Sequence, residues 1–143
     1  MLILEEIKER LKDKIIDFYQ HSARRVYILI EAKYIKEVAR ILFKELGLRF
    51  STATGQDTPK GLEILYHFSF DKTGHIISIR VLIKDKDNPQ IDSLATLFPA
   101  AEWIEREMWE MLGINFIGHP NLKHLLLSEE WPEGKHPLRK NVS

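Results

Sequence analysis

The residue most able to do chemistry is a glutamate set among apolar neighbours. At about 100° per residue, Ala100, Trp103, Ile104, Met108, Met111 and Leu112 form one wide apolar arc on a predicted helix. Glu107 projects within that arc, between Trp103 and Met111, while Glu102, Glu105 and Arg106 fall on the other side. A carboxylate on a buried face is costly unless it is paired or hydrogen-bonded. As chemistry, Glu107 would be a general acid whose burial raises its pKa. As structure, it would be an anchor receiving donors from a loop, such as the segment after the helix. No second catalytic group stands at a readable spacing, so the anchor is preferred.

The histidines are the next candidates, as metal ligands. His67 and His75 lie on a predicted hairpin, and His119, His124 and His136 in the C-terminal stretch. There is no HExxH, and five-residue spacing in irregular chain presets no coordination face. His119-Pro120 and His136-Pro137 are better read as turns with the imidazole bonded to backbone. Thr54-Gly55-Gln56 is a lone glycine rather than a phosphate loop, and no serine sits on a sharp turn between glycines. Arg24-Arg25 and Leu138-Arg139-Lys140 are short, isolated basic stretches that read as solvated surface rather than a nucleic-acid site.

The elements that must position these residues follow from periodicity. The 143 residues have the length of one domain, with 44% hydrophobic and 29% charged residues. With 21 basic and 21 acidic residues the chain is neutral, which gives no field for nucleic acid or an anionic membrane. The absence of cysteine excludes disulfides and thiolate-bound iron–sulfur clusters, and suits a reducing cytoplasm. No apolar run has the length of a membrane span, and the N-terminus is charged and amphipathic, so membrane association is expected to be indirect.

A helix is predicted over the first segment, with Leu4, Ile7 and Leu11 on one face. An ambiguous stretch IIDFYQH precedes a strand in which Val26, Ile28 and Ile30 alternate with Arg25, Tyr27 and Glu31. Helical spacing returns from Ile35 to Leu46 and Gly47 supplies the stop. Then come a strand LRFSTATGQD and a hairpin, with Leu62, Ile64, Tyr66, Phe68 and Phe70 facing Ile77, Ile79, Val81 and Ile83 across Asp71–Gly74. KDKDNP reads as a loop, and Pro99 opens a helix that closes at Gly113. The fold class is α+β: one two-layer domain, residues 1–117, a small mixed sheet with helices on one face, followed by an extended C-terminal arm, 118–143.

The arm carries Leu122, Leu125, Leu126, Leu127, Trp131 and Leu138, which are costly to leave wet, yet it has little periodicity. Either it wraps this domain or it orders against a neighbour. Trp109, on the polar side of its helix, is open between two readings: a contact with another subunit, or cover by the arm. Glu102, Arg106 and Glu110 have the spacing of surface ion pairs.

Together these two segments resemble the signature of the 30-kDa subunit family of respiratory complex I, which has counterparts in energy-converting membrane-bound nickel–iron hydrogenases. The matching positions are Glu105, Arg106, Glu107, Glu110, Met111, Leu112, His119, Lys123, Leu125 and Leu126. The approach FPAAEW, the distal GKHPLRK and the Tyr66-His67-Phe68 stretch are also similar. The resemblance implies a cofactor-free structural and assembly subunit of an NADH:quinone oxidoreductase, with no catalytic or metal-binding residues. Iron–sulfur clusters and any nickel–iron centre would belong to partner subunits. It would sit at the cytoplasmic face of the membrane, in the hydrophilic arm, beside a hydrogenase-like large subunit and iron–sulfur subunits that support electron transfer to quinone. Residues expected to form the signature or the partner interface are Glu105, Arg106, Glu107, Trp109, Glu110, His119, Pro120, Lys123, Trp131, His136, Pro137 and Arg139. The chain stops at Ser143, shortly after HPLRK, and that shortness resembles subunits of hydrogenases and formate hydrogenlyases.

Two readings from other classes compete. A small hydrolase would use Glu107 with His119 or His67, and requires a pocket enclosing them. An independent adaptor would use Trp109 and the arm to bind an unrelated protein.

Overall fold

The computed structural model describes residues 2–120; the expectations for Lys123, Trp131, His136, Pro137 and Arg139 fall outside them. The chain begins with α1 (Ile3–Leu11), which buries Ile3, Ile7 and Leu11 at helical spacing and leaves Leu4 half-buried. The ambiguous stretch becomes β1 (Ile15–Gln20), antiparallel to β2 (Arg25–Ile30). The second helical region is entered through a tight turn, Ala32–Tyr34, and continues as α2 (Ile35–Arg40). Its last turn, Ile41–Glu45, widens: the Leu46 amide bonds the Ile41 carbonyl five residues back, at 3.1 Å.

Next come β3 (Arg49–Thr58), β4 (Gly61–Phe70) and β5 (His75–Ile83). With β1 and β2 they form one sheet of order β1-β2-β5-β4-β3, in which only β2 and β5 run parallel. The alternation read from sequence sets the register: Val26 and Ile28 lie beside Ile77 and Ile79, which lie beside Phe68 and Tyr66. These side chains are at most 1% exposed and share one core with α1 and α2. Each side chain of this size contributes about 1.5–3 kcal/mol on full burial. The other sheet face carries half-buried Tyr27, Leu29, Leu65, Arg80 and Leu82.

Two short strands were not legible in the sequence. Residues 90–92 follow the loop KDKDNP and have no predicted element, yet β6 (Gln90–Asp92) pairs in parallel with β7 (Asn115–Ile117). Between them lies α3 (Pro99–Leu112), with Pro99 in its first turn and Gly113 closing it at φ 79°. Phe98, extended as a residue before proline must be, anchors the start of α3 in an aromatic cluster. Its ring stacks on Phe50 at 4.8 Å between centroids, and meets Phe43 and Phe68 edge-on at 5.1 and 6.0 Å.

Because Phe98 is 5% exposed and touches three rings, Phe98→Ala leaves a cavity that no neighbour fills. Urea unfolding should show a loss of about 3–5 kcal/mol; a loss under about 1 kcal/mol would mean the cluster does not seat the helix.

Candidate functional site

The site is built on α3, which meets β3 along the sheet edge. A bulge between Phe50 and Thr52 resets the alternation of β3, so that Phe50, Ala53 and Asp57 are all buried on the helix side. Gly55 shares that side: a Cβ there would lie 2.8 Å from Leu112 Cδ1 and 3.1 Å from Met108 Sδ. The helix therefore sits closer to the strand than an alanine would allow with these rotamers.

The face that α3 turns to the core is not the one its apolar arc suggests. Ala101, Glu105, Met108 and Leu112 are buried, and so are Arg106 and Glu110 on another side of the helix. Glu107 is exposed, and Trp103 is 56% exposed. The expectation of a buried Glu107 and solvent-facing Glu105 and Arg106 is thus corrected. The apolar arc is wider than the contact with β3, and the helix is phased by a polar tie rather than by hydrophobicity.

That tie is Glu105. Its Oε1 accepts from Ser93 Oγ at 2.5 Å and its Oε2 from the Leu94 amide at 2.7 Å. Ser93 in turn accepts from the Ala95 amide, and its own amide donates to Ile117 in β7. The carboxylate thus fixes the turn that leads into its own helix. Burial pushes its pKa up from 4.5 to about 7, against the lowering effect of the Leu94 and Ser93 bonds. Nearby, the buried Tyr66 hydroxyl has no hydrogen-bond partner among the described residues. Burial raises its pKa well above 10.0, and the Glu105 and Asp92 carboxylates add to that.

The ion pairs expected of Arg106 with Glu102 and Glu110 are not among those of the described residues. Trp109 is half-buried and packs on the core, so it does not project freely from the polar side. His119 Nε2 donates to the Glu102 carbonyl at 2.8 Å, the backbone role expected of it, and Pro120 is exposed. His67 bonds Ser78 Oγ at 2.7 Å, with its pKa lowered by burial and then by Arg25. His75 bonds Thr73. No three His, Asp or Glu side chains converge on a metal-sized site among the described residues.

A groove of about 350 Å³ runs between β3 and α3, from Thr52–Gly55 to Ile104, Met108 and Met111, with Glu107 at its side. Neither His119 nor His67 lines it, so the partners a hydrolase would need for Glu107 are not brought to it. Glu105 is 1% exposed with both oxygens bonded, which suits an anchor and not an acid–base catalyst. What α3 presents to solvent is a stripe of Ala100, Trp103 and Glu107, flanked by half-buried Ile104 and Met111. The sequence signal for it was present: an arc too wide for one contact must leave part of itself outside.

The family model described as "Respiratory-chain NADH dehydrogenase, 30 Kd subunit" matches residues 28–143. The chain belongs to that family. It is 35% identical, over 98% of its length and 82% of the relative's, to the NADH-quinone oxidoreductase C subunit of Roseiflexus sp. (strain RS-1). It is also 35% identical, over 66% of its length, to 18% of the NADH-quinone oxidoreductase C/D subunit of Bacteroides fragilis. A chain of the membrane-bound sulfane sulfur reductase, an archaeal respiratory membrane complex, shares its fold: TM-score 0.85 and 24% identity, over 99% of this chain and 84% of that one. The trypsin-resistant fragment (1–134) of Nqo5 matches with TM-score 0.70 and 22% identity, over 85% and 100%. The α+β fold expected from the sequence is the fold of these relatives.

Glu105 makes stability depend on pH. The folded-state pKa, about 7, lies above the ordinary 4.5, so the native state holds the extra proton between those values. Stability is then highest below the lower value and falls as pH rises through the upper one, by about 3 kcal/mol for this group alone. Glu105→Gln, which keeps an acceptor for Leu94, should flatten that part of a urea-midpoint profile measured from pH 4.5 to 8. A profile as steep as that of the wild type would show that Glu105 is not the titrating group.

Proposed function

We propose that this chain is a cofactor-free structural subunit of an NADH:quinone oxidoreductase of the complex I type. It docks on the large subunit of the hydrophilic arm through the solvent-facing stripe of α3. The observation that carries the reading is that stripe, an exposed tryptophan with a groove beside it, on the helix that bears the family signature. A large aromatic side chain left 56% exposed on the helix that walls a groove of mixed polarity suits a docking surface better than a catalytic one. The C/D relative joins the two parts in one polypeptide, which supports the D-type subunit as the neighbour.

In this reading the chain supplies assembly and rigidity, and electron transfer to quinone runs through partner subunits. Its 143 residues contain no cysteine with which to hold an iron–sulfur cluster. No helix among the described residues is long and apolar enough to cross a membrane, and attachment to the inner face of the membrane would come through the complex. Residues 1–117 would act as the rigid body and 118–143 as the arm that runs on toward the partners.

The test is recovery of the complex from native membranes on the tagged chain, followed by identification of what comes with it. The expected companions are a D-type large subunit and iron–sulfur subunits; finding neither would overturn the reading. A nickel–iron large subunit in their place would assign the chain to a hydrogenase-related complex instead. Trp103→Ala should cut recovery of the large subunit by about 30-fold, the effect of losing about 2 kcal/mol at an aromatic anchor. Glu107→Gln and Trp103→Ala should each leave the free chain's stability within about 0.5 kcal/mol of wild type. Undiminished recovery with Trp103→Ala would place the interface elsewhere.

A further inference from the structure

The solvent-facing stripe of α3 holds two groups that suit one kind of ligand. Trp103 is 56% exposed, and Glu107, four residues on, is exposed as well. On a helix that spacing sets the two Cβ atoms about 6 Å apart on one face, an aromatic ring beside a carboxylate. The groove of about 350 Å³ between β3 and α3 has Glu107 at its side, with half-buried Ile104 and Met111 on the helix wall. Its strand wall includes Thr52 and Thr54, both exposed. Among the described residues that line the groove, Glu107 supplies the single charge. The helix adds no exposed positive charge to it, because its one cation, Arg106, is 8% exposed.

Such a surface selects its occupant by charge and by shape. A carboxylate set between an apolar wall and hydroxyl groups calls for a cation that brings apolar surface with it. Lysine and arginine both do, laying a methylene stem on apolar side chains while the charged head stays near water. The ring decides between them. A guanidinium is planar and weakly hydrated, so it lies flat on an indole while turning two parallel N–H donors to a carboxylate. An ammonium is a compact, strongly hydrated point charge and gains less from the flat face. Of the five guanidinium N–H groups two would go to Glu107, which leaves others for the Thr52 and Thr54 hydroxyl oxygens across the groove.

We propose that Trp103 and Glu107 clamp one arginine of the partner subunit. Its guanidinium stacks on the indole and pairs with the Glu107 carboxylate, and its stem lies along Ile104 and Met111. The clamp rests on the docking reading above and specifies what that surface grips. The carboxylate makes the contact selective for a cation, and the indole makes it selective for a flat one. Enclosed at an interface, the pair sheds water and counts for more than an exposed ion pair.

The test reads recovery of the large subunit from native membranes on the tagged chain, at low and high salt. Glu107→Gln should cut recovery about 10-fold at about 50 mM salt, and the deficit should shrink to about 3-fold at about 500 mM, where charges are screened. Glu107→Lys should do worse than Glu107→Gln, because it sets like charges together. Trp103→Phe, which keeps a weaker aromatic face, should recover more partner than Trp103→Ala. Both side chains are exposed, so unchanged urea midpoints of the free variants would separate a docking defect from a folding one. Phenylglyoxal, an arginine reagent, gives the direct readout on the recovered complex: one partner arginine should be protected in the wild type and gain reactivity with Glu107→Gln. No change at any arginine would overturn the proposal, as would full recovery with Glu107→Gln at low salt. A partner lysine that gains reactivity toward an amine reagent in its place would overturn it too. Full recovery with Trp103→Ala would bring down the docking reading as well, whereas full recovery with Glu107→Gln alone would remove the clamp and leave the docking surface.

Discussion

The geometry of this protein hangs on one carboxylate. Glu105 reaches from the second turn of α3 back to Ser93 and Leu94, and Ser93 is bonded in turn to β7, which comes after the helix. Both ends of α3 are therefore referred to a single point. The rotation of the helix about its axis is set there, and with it the choice of residues that face the sheet, the solvent and the third side. A hydrophobic contact alone would not choose, because apolar side chains cover more than half of the helix circumference.

That choice has a cost which the surroundings limit. Two donors stabilise the ionised form, yet burial outweighs them and leaves the group near half-protonated at neutral pH. Tyr66, with its hydroxyl in the same polar pocket, adds a second buried group whose environment resists ionisation. Such a pocket resembles an acid–base site only by its titration. Glu105 does not line the groove between β3 and α3, which has a different glutamate, Glu107, at its side. Perturbed titration here marks a structural joint, and the open surface lies on another side of the same helix.

Much of the fold could be read from the sequence. Alternation in 26–30, 62–70 and 77–83 specified strands and their buried faces, because one sheet face is covered by helices and the pattern there is strict. Pro99 and Gly113 bracketed α3 correctly. What failed was the rotation of that helix, since Glu105 is buried for the sake of two donors that lie 11 and 12 residues away, and no local pattern encodes them. β6 and β7 failed for a related reason: three-residue strands paired across an intervening helix have no periodicity to show. The signature residues were found through resemblance, while the exposure of Trp103 was hidden because it shares the apolar arc with Met108, which is buried.

The glycine in β3 bears on how this surface would vary among relatives. Gly55 lets Leu112 and Met108 settle against bare backbone, and so sets the spacing between helix and sheet edge. It acts as a gauge with a resolution of one methyl group. A larger residue at that position would lift α3 and change the width of the groove without altering any side chain that lines the exposed stripe. Two family members with the same residues on the exposed stripe could then carry grooves of different width, the difference residing in one backbone position on the strand.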